Sequence, residues 1–96
     1  MPSKEQRRRL KAEIIGDVQG VGFRFFAERH ARQLGIEGYV RNRYDGAVEV
    51  EAEGAAPALE QFLNELRQGP RLARVQDVKV TWLPYTGELG PFGVRG

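Results

Sequence analysis

The chain has 96 residues, with 15 Lys and Arg against 13 Asp and Glu, one histidine and no cysteine. That length suits a single domain with one core, and the missing cysteines exclude a disulfide framework, a thiolate metal site and a cysteine nucleophile. His30 alone cannot make a histidine-rich metal site, no apolar run approaches the ~20 residues that cross a bilayer, and the start does not resemble a signal peptide, so a cytoplasmic, membrane-free protein is expected.

The charge is uneven. Residues 1–13 carry Lys4, Arg7, Arg8, Arg9 and Lys11 against Glu5 and Glu13, while the remainder is close to neutral. Residues 1–9 are therefore read as a flexible basic leader, with a polyanion-binding arm as the alternative, and residues 10–96 as one domain. A near-neutral body argues against a nucleic-acid partner.

Residues 10–16 alternate, with Leu10, Ala12 and Ile14 on one face and Lys11 and Glu13 on the other, the pattern of a half-buried strand. Gly16-Asp17-Val18-Gln19-Gly20-Val21-Gly22 follows, and its three glycines predict a tight loop. From Phe23 to Leu34 the spacing of Phe23, Phe26, Ala27, Ala31 and Leu34 is helical, with Gly35 as the stop. Residues 37–43 and 47–53 alternate as two strands around Tyr44-Asp45-Gly46. Placing Val40 and Val50 on the buried face pairs Arg43 with Ala47, leaving a three-residue loop with Gly46 at its left-handed position. The same register sets Asn42 opposite Val48 on the inner face and Arg41 opposite Glu49 on the outer one. Glu49, Glu51 and Glu53 then read as the solvated face of a strand.

Pro57 suits the first turn of a second helix carrying Leu59, Phe62, Leu63 and Leu66, which Gly69-Pro70 ends. Residues 73–83 form a fourth strand with Val78, Val80 and Trp82 on one side, and residues 92–95 suit a short final one. The order βαββαβ predicts an α+β, ferredoxin-like sandwich: a four-stranded antiparallel sheet, with room for a short fifth strand, and two helices on one face.

Many functions share that fold, so the site must choose. The glycine loop leads a strand into a helix start and places Arg24 in the first helical turn. Converging backbone N–H groups, the positive end of the helix and a forked guanidinium form an anion cradle, although a glycine turn of purely structural purpose has the same composition. Asn42, inward-facing near the same end of the sheet, is either an amide satisfied by the adjoining turn or a hold for a water molecule. His30 lies six residues beyond Arg24 and on another side of the helix, which makes it a packing or surface residue.

The segment Ile14-Ile15-Gly16-Asp17-Val18-Gln19-Gly20-Val21-Gly22-Phe23-Arg24 resembles the first signature of the acylphosphatase family. Gly38-Tyr39-Val40-Arg41-Asn42, followed by Asp45-Gly46, Val48 and Gly54, resembles the second. The resemblance spans roughly residues 10–95 and implies hydrolysis of an acyl phosphate to a carboxylate and inorganic phosphate. It implies that Arg24 binds the phosphate, that Asn42 orients the attacking water, and that the backbone of Gln19, Gly20, Val21, Gly22, Phe23 and Arg24 forms the cradle. No metal, cofactor, nucleic acid or membrane enters this expectation, and a monomer is the expected state. Two rivals share the fold. An RNA-binding module would need exposed aromatics on central strands, whereas Phe23, Phe25 and Phe26 enter a helix; a non-catalytic anion-sensing or carbamoyl-phosphate-handling domain would keep the cradle without turnover.

Overall fold

A computed structural model of the chain describes residues 6–96. Its elements run β1 (Arg7–Asp17), α1 (Phe23–Gln33), β2 (Glu37–Asn42), β3 (Val48–Ala55), α2 (Ala56–Gln68), β4 (Arg74–Leu83) and β5 (Gly93–Arg95). The five strands form one sheet in the order β4-β1-β3-β2-β5, antiparallel throughout except that β5 runs parallel to β2.

The sheet's inner face and the two helices enclose the core. β1 contributes Leu10, Ala12 and Ile14, β2 Val40, and β3 Val48, Val50 and Ala52, every second residue as strand geometry requires. Against them pack Phe23, Ala27 and Ala31 of α1 and Leu59, Phe62, Leu63 and Leu66 of α2. Phe92 closes the core, meeting Phe62 edge-to-face with ring centroids 5.8 Å apart.

The β2–β3 hairpin has the register the alternation predicts, from Val40 opposite Val50 to Asn42 opposite Val48. The Arg43 N–H donates to the Ala47 carbonyl at 2.9 Å, and Gly46 occupies the left-handed region at φ 94°. Asp45 Oδ1 accepts from the Ala47 N–H at 3.1 Å, so the turn is held by Asp45 and does not draw on Asn42.

Three features differ from the expectation. The first strand starts at Arg7, and Arg7, Arg8 and Arg9 pair with Ala55, Gly54 and Glu53; these three arginines belong to the sheet and not to a leader, because β3 runs two residues further than its alternation suggests and offers them partners. The rest of the basic leader, residues 1–5, lies outside the described residues. Second, the short final strand makes the sheet mixed, since the chain leaves β4 at one edge and crosses the outer face to reach β2 at the other. Third, Glu49, Glu51 and Glu53 are not solvated: they are 4%, 8% and 1% exposed.

That crossing buries Glu53, while side chains of neighbouring strands cover Glu49 and Glu51. β3 lies centrally, between β1 and β2, and residues 84–91 pass over its outer face. Glu53 accepts from the Thr86 N–H (2.6 Å), the Thr86 hydroxyl (2.9 Å) and the Gly87 N–H (3.1 Å). Glu49 takes two hydrogen bonds from the Arg41 guanidinium, Glu51 is paired with Arg9, and the Tyr39 hydroxyl sits 3.0 and 2.9 Å from Glu49 and Glu51. Burial pushes the Glu53 carboxyl up, but the Thr86 and Gly87 donors outweigh it and hold the group below the ordinary carboxylate range. Burial likewise raises Glu49, where Arg41 and Tyr39 reverse the effect. The phenol of Tyr39, buried beside these carboxylates, is pushed up.

Candidate active site

The loop between β1 and α1 is fastened at both ends by apolar side chains. Val18 is 1% and Phe23 2% exposed, and the glycines between them carry the backbone round. Gly20 and Gly22 have φ of 75° and 79°, a region that residues with a Cβ enter only at a cost. Just before the loop, Gly16 has φ 138° where the β1–β4 register shifts, and a Cβ there would lie 2.1 Å from the Arg74 carbonyl oxygen. Only glycine fits that crossing point.

Gly22 is the N-cap of α1 and has no side chain with which to cap it, and the first turn contains no acidic residue. The amino end of the helix therefore presents backbone N–H groups and its partial positive charge with no carboxylate nearby on the helix to absorb them. Arg24 stands in that turn, half-buried, with Nη1 donating to the Gly96 backbone oxygen at 3.0 Å. Two other arginines near this end of the sheet are locked to carboxylates: Arg41 to Glu49, and Arg43 to Glu13 and Asp45. Of these three, Arg24 is the one held by a backbone oxygen.

The residues that the sequence singles out divide in an informative way. Gly20, Gly22, Phe23, Arg24 and Asn42 line one small pocket of about 80 Å³, together with Val18 and Phe25. The strand residue Asn42 is thus brought to the loop despite its distance in the chain. Val21 packs against the core instead. Gln19, singled out for its backbone N–H, does not line that pocket, and its side chain has a task of its own. Its Nε2 donates to the carbonyls of Arg43 (2.7 Å) and Ala47 (3.0 Å), tying the loop to the β2–β3 turn. Two carbonyl acceptors require the amide's donor end to face them. Sequence reasoning missed this bridge and missed Phe25, which is 68% exposed at the pocket wall.

His30 is remote from the pocket. Its ring packs on Phe26 with centroids 4.4 Å apart, and Nδ1 lies 3.8 Å from Glu65 of α2, as a helix-packing residue would. A second, more open cavity of about 490 Å³ adjoins the site, sharing Asn42 and also bounded by Arg43, Tyr44 and Gly96. Among the described residues no group of three or more His, Asp or Glu is placed to hold a metal ion, and no helix is long and apolar enough to cross a membrane.

An uncapped helix start, a half-buried guanidinium and a carboxamide around one small pocket suit a tetrahedral anion, and the comparisons agree with that chemistry. The acylphosphatase family profile matches residues 10–94. An acylphosphatase of Thermus thermophilus is 58% identical over 82 residues, covering 85% of this chain and 93% of its own. The crystal structure of the Bacillus subtilis acylphosphatase superposes with a TM-score of 0.90 at 34% identity, covering 93% of this chain and 99% of that one. A phosphate- and nucleotide-bound structure of full-length HypF also superposes, with a TM-score of 0.83 at 28% identity, but the match occupies 12% of that much longer protein. With both the profile and near-complete relatives in agreement, the chain belongs to the acylphosphatase family.

Proposed function

We propose that this pocket hydrolyses acyl phosphates, with the loop N–H groups and Arg24 holding the phosphoryl group and Asn42 placing the water. The observation that carries this reading is the convergence of Gly20, Gly22, Arg24 and Asn42 on one pocket of about 80 Å³. At about 10–15 Å³ of such space per water, that is room for several water-sized groups, enough for a phosphoryl group and the water that attacks it.

The reaction asks little of acid–base groups. The water oxygen forms a bond to phosphorus, the bond from phosphorus to the acyl oxygen breaks, and its electron pair leaves on a carboxylate that is stable at neutral pH. No general acid is needed for that departure. In a loose transition state the attacking water is barely deprotonated, so its proton can pass to a phosphoryl oxygen. What remains is positioning and the matching of spread negative charge. Arg24 keeps further guanidinium N–H groups for the phosphoryl oxygens while Gly96 fixes its orientation. The Asn42 side-chain oxygen accepts a hydrogen bond from the water and aims it at phosphorus.

The test is release of phosphate from benzoyl phosphate by purified protein without added metal, beside Arg24→Ala and Asn42→Ala. Removing one preorganised partner of the transition state lowers kcat by roughly 10² to 10³. Arg24→Ala should also weaken competitive inhibition by inorganic phosphate, whereas Asn42→Ala should leave that inhibition largely intact. A folded wild-type protein that binds phosphate without hydrolysing the substrate would instead favour a non-catalytic anion-binding role.

A further inference from the structure

We propose that Phe25 is a specificity-determining residue that stacks against planar, aromatic acyl groups of the substrate; this rests on the function proposed above. A pocket of about 80 Å³ accommodates the phosphoryl group, and an aromatic acyl group extends beyond it. Two places adjoin it: the pocket's own helix-side wall, where Phe25 stands, and the larger cavity beyond Asn42, where Tyr44 stands. In-line displacement decides between them. The leaving acyl oxygen must lie opposite the attacking water, and the water is held from the strand side by Asn42. The acyl group therefore departs away from Asn42, past the first turn of α1.

Phe25 is placed there without any role in packing. Phe23, Ala27 and Ala31 define the buried face of α1, and at about 100° per residue Phe25 points roughly 200° away from Phe23. It is 68% exposed, although a polar side chain at that position would suit the helix as well. An exposed flat ring at the rim of an anion pocket offers an acyl group apolar area and ring-to-ring contact that an acetyl group cannot use.

The test compares kcat/KM for benzoyl phosphate and acetyl phosphate in wild type, Phe25→Ala, Phe25→Tyr and Tyr44→Ala. Phe25→Ala is expected to lower the benzoyl-to-acetyl ratio by about three- to ten-fold, the worth of one aromatic pair. The loss should appear in KM, because the stacking is the same in ground and transition states. Phe25→Tyr should restore the ratio and Tyr44→Ala should leave it at the wild-type value. An unchanged ratio in Phe25→Ala, or a fall in Tyr44→Ala instead, would overturn the inference while leaving acyl phosphate hydrolysis standing; failure of the wild type to hydrolyse either substrate would overturn both.

Discussion

Gln19 links the glycine loop to the strand pair that carries Asn42, and truncating it to alanine tests whether that link sets the site. The side chain makes two hydrogen bonds, at 2.7 and 3.0 Å, to the carbonyls of Arg43 and Ala47. Each is worth about 0.5–1.5 kcal/mol net. Neither carbonyl is orphaned by the change, since Ala47 still accepts from the Arg43 N–H and Arg43 from the Gly46 N–H. The pair should therefore cost about 1–2 kcal/mol in total, toward the lower half of the summed range. In a domain of this size that lowers Tm by roughly 4–16 °C. If the same energy is withdrawn from positioning, kcat/KM for benzoyl phosphate falls about five- to thirty-fold. Gln19→Glu sharpens the test. It preserves size but turns a carboxylate oxygen toward two carbonyl oxygens, losing both bonds and adding repulsion and a negative charge beside an anion site. It should be less stable than Gln19→Ala and more weakly inhibited by inorganic phosphate. Thermal melts and steady-state kinetics on the three proteins suffice; a folded Gln19→Ala with kcat/KM within twofold of wild type, or a Gln19→Glu no worse than Gln19→Ala, would refute the bridging role.

Other expectations follow from individual contacts. Arg24→Lys should recover only part of the activity lost in Arg24→Ala, because a single ammonium cannot both bond Gly96 and present a fork to the phosphoryl oxygens; full recovery would mean that charge alone matters. Gly16→Ala should destabilise more than Gly22→Ala in urea titrations. The first forces a Cβ within 2.1 Å of a backbone oxygen, whereas the second meets nothing within 4 Å and bears only the left-handed conformational cost of about 1–2 kcal/mol. Glu53 is held below the ordinary carboxylate value, so its contribution is complete above the unfolded pKa of about 4.3 and lost as pH falls through the lower folded value. The stability gap between wild type and Glu53→Gln should accordingly be widest near neutrality and narrow below about pH 4, and a gap that stays constant down to about pH 2 would contradict the assignment.

Much of the fold can be read from residue order because the local signals agree with one another. The hairpin register follows from the parity of Val40 and Val50 with Gly46 between them, α1 from apolar spacing bounded by glycine, and α2 from apolar spacing between Pro57 and Gly69. The glycine loop and Asn42 stand out in the same way. What stays hidden is non-local. Glu49, Glu51 and Glu53 alternate as any exposed strand face would, but residues 84–91 pass over Glu53, and Arg41, Tyr39 and Arg9 lie across Glu49 and Glu51. The parallel pairing of β5 depends on that same passage, and strand propensity is silent about direction. Gln19 is visible as a loop residue, but its partners lie 24 and 28 positions away on a turn whose proximity only the folded sheet creates. Phe25 becomes legible only once the buried face of α1 is known, as the aromatic that breaks the helix's polar side.

The strand order has a consequence for how the protein is made. β1, with the loop that follows it, emerges early during synthesis, yet its neighbour β4 and the segment 93–96 that seats Arg24 emerge long after Asn42. Pairings between segments so distant in the chain form slowly, since closing the intervening length is costly before any contact repays it. A nascent chain that has exposed residues 7–55 to solvent holds Asn42 and the glycine turn but not the clamp on the guanidinium, so competence for turnover should arise late and abruptly, with the docking of residues 93–96.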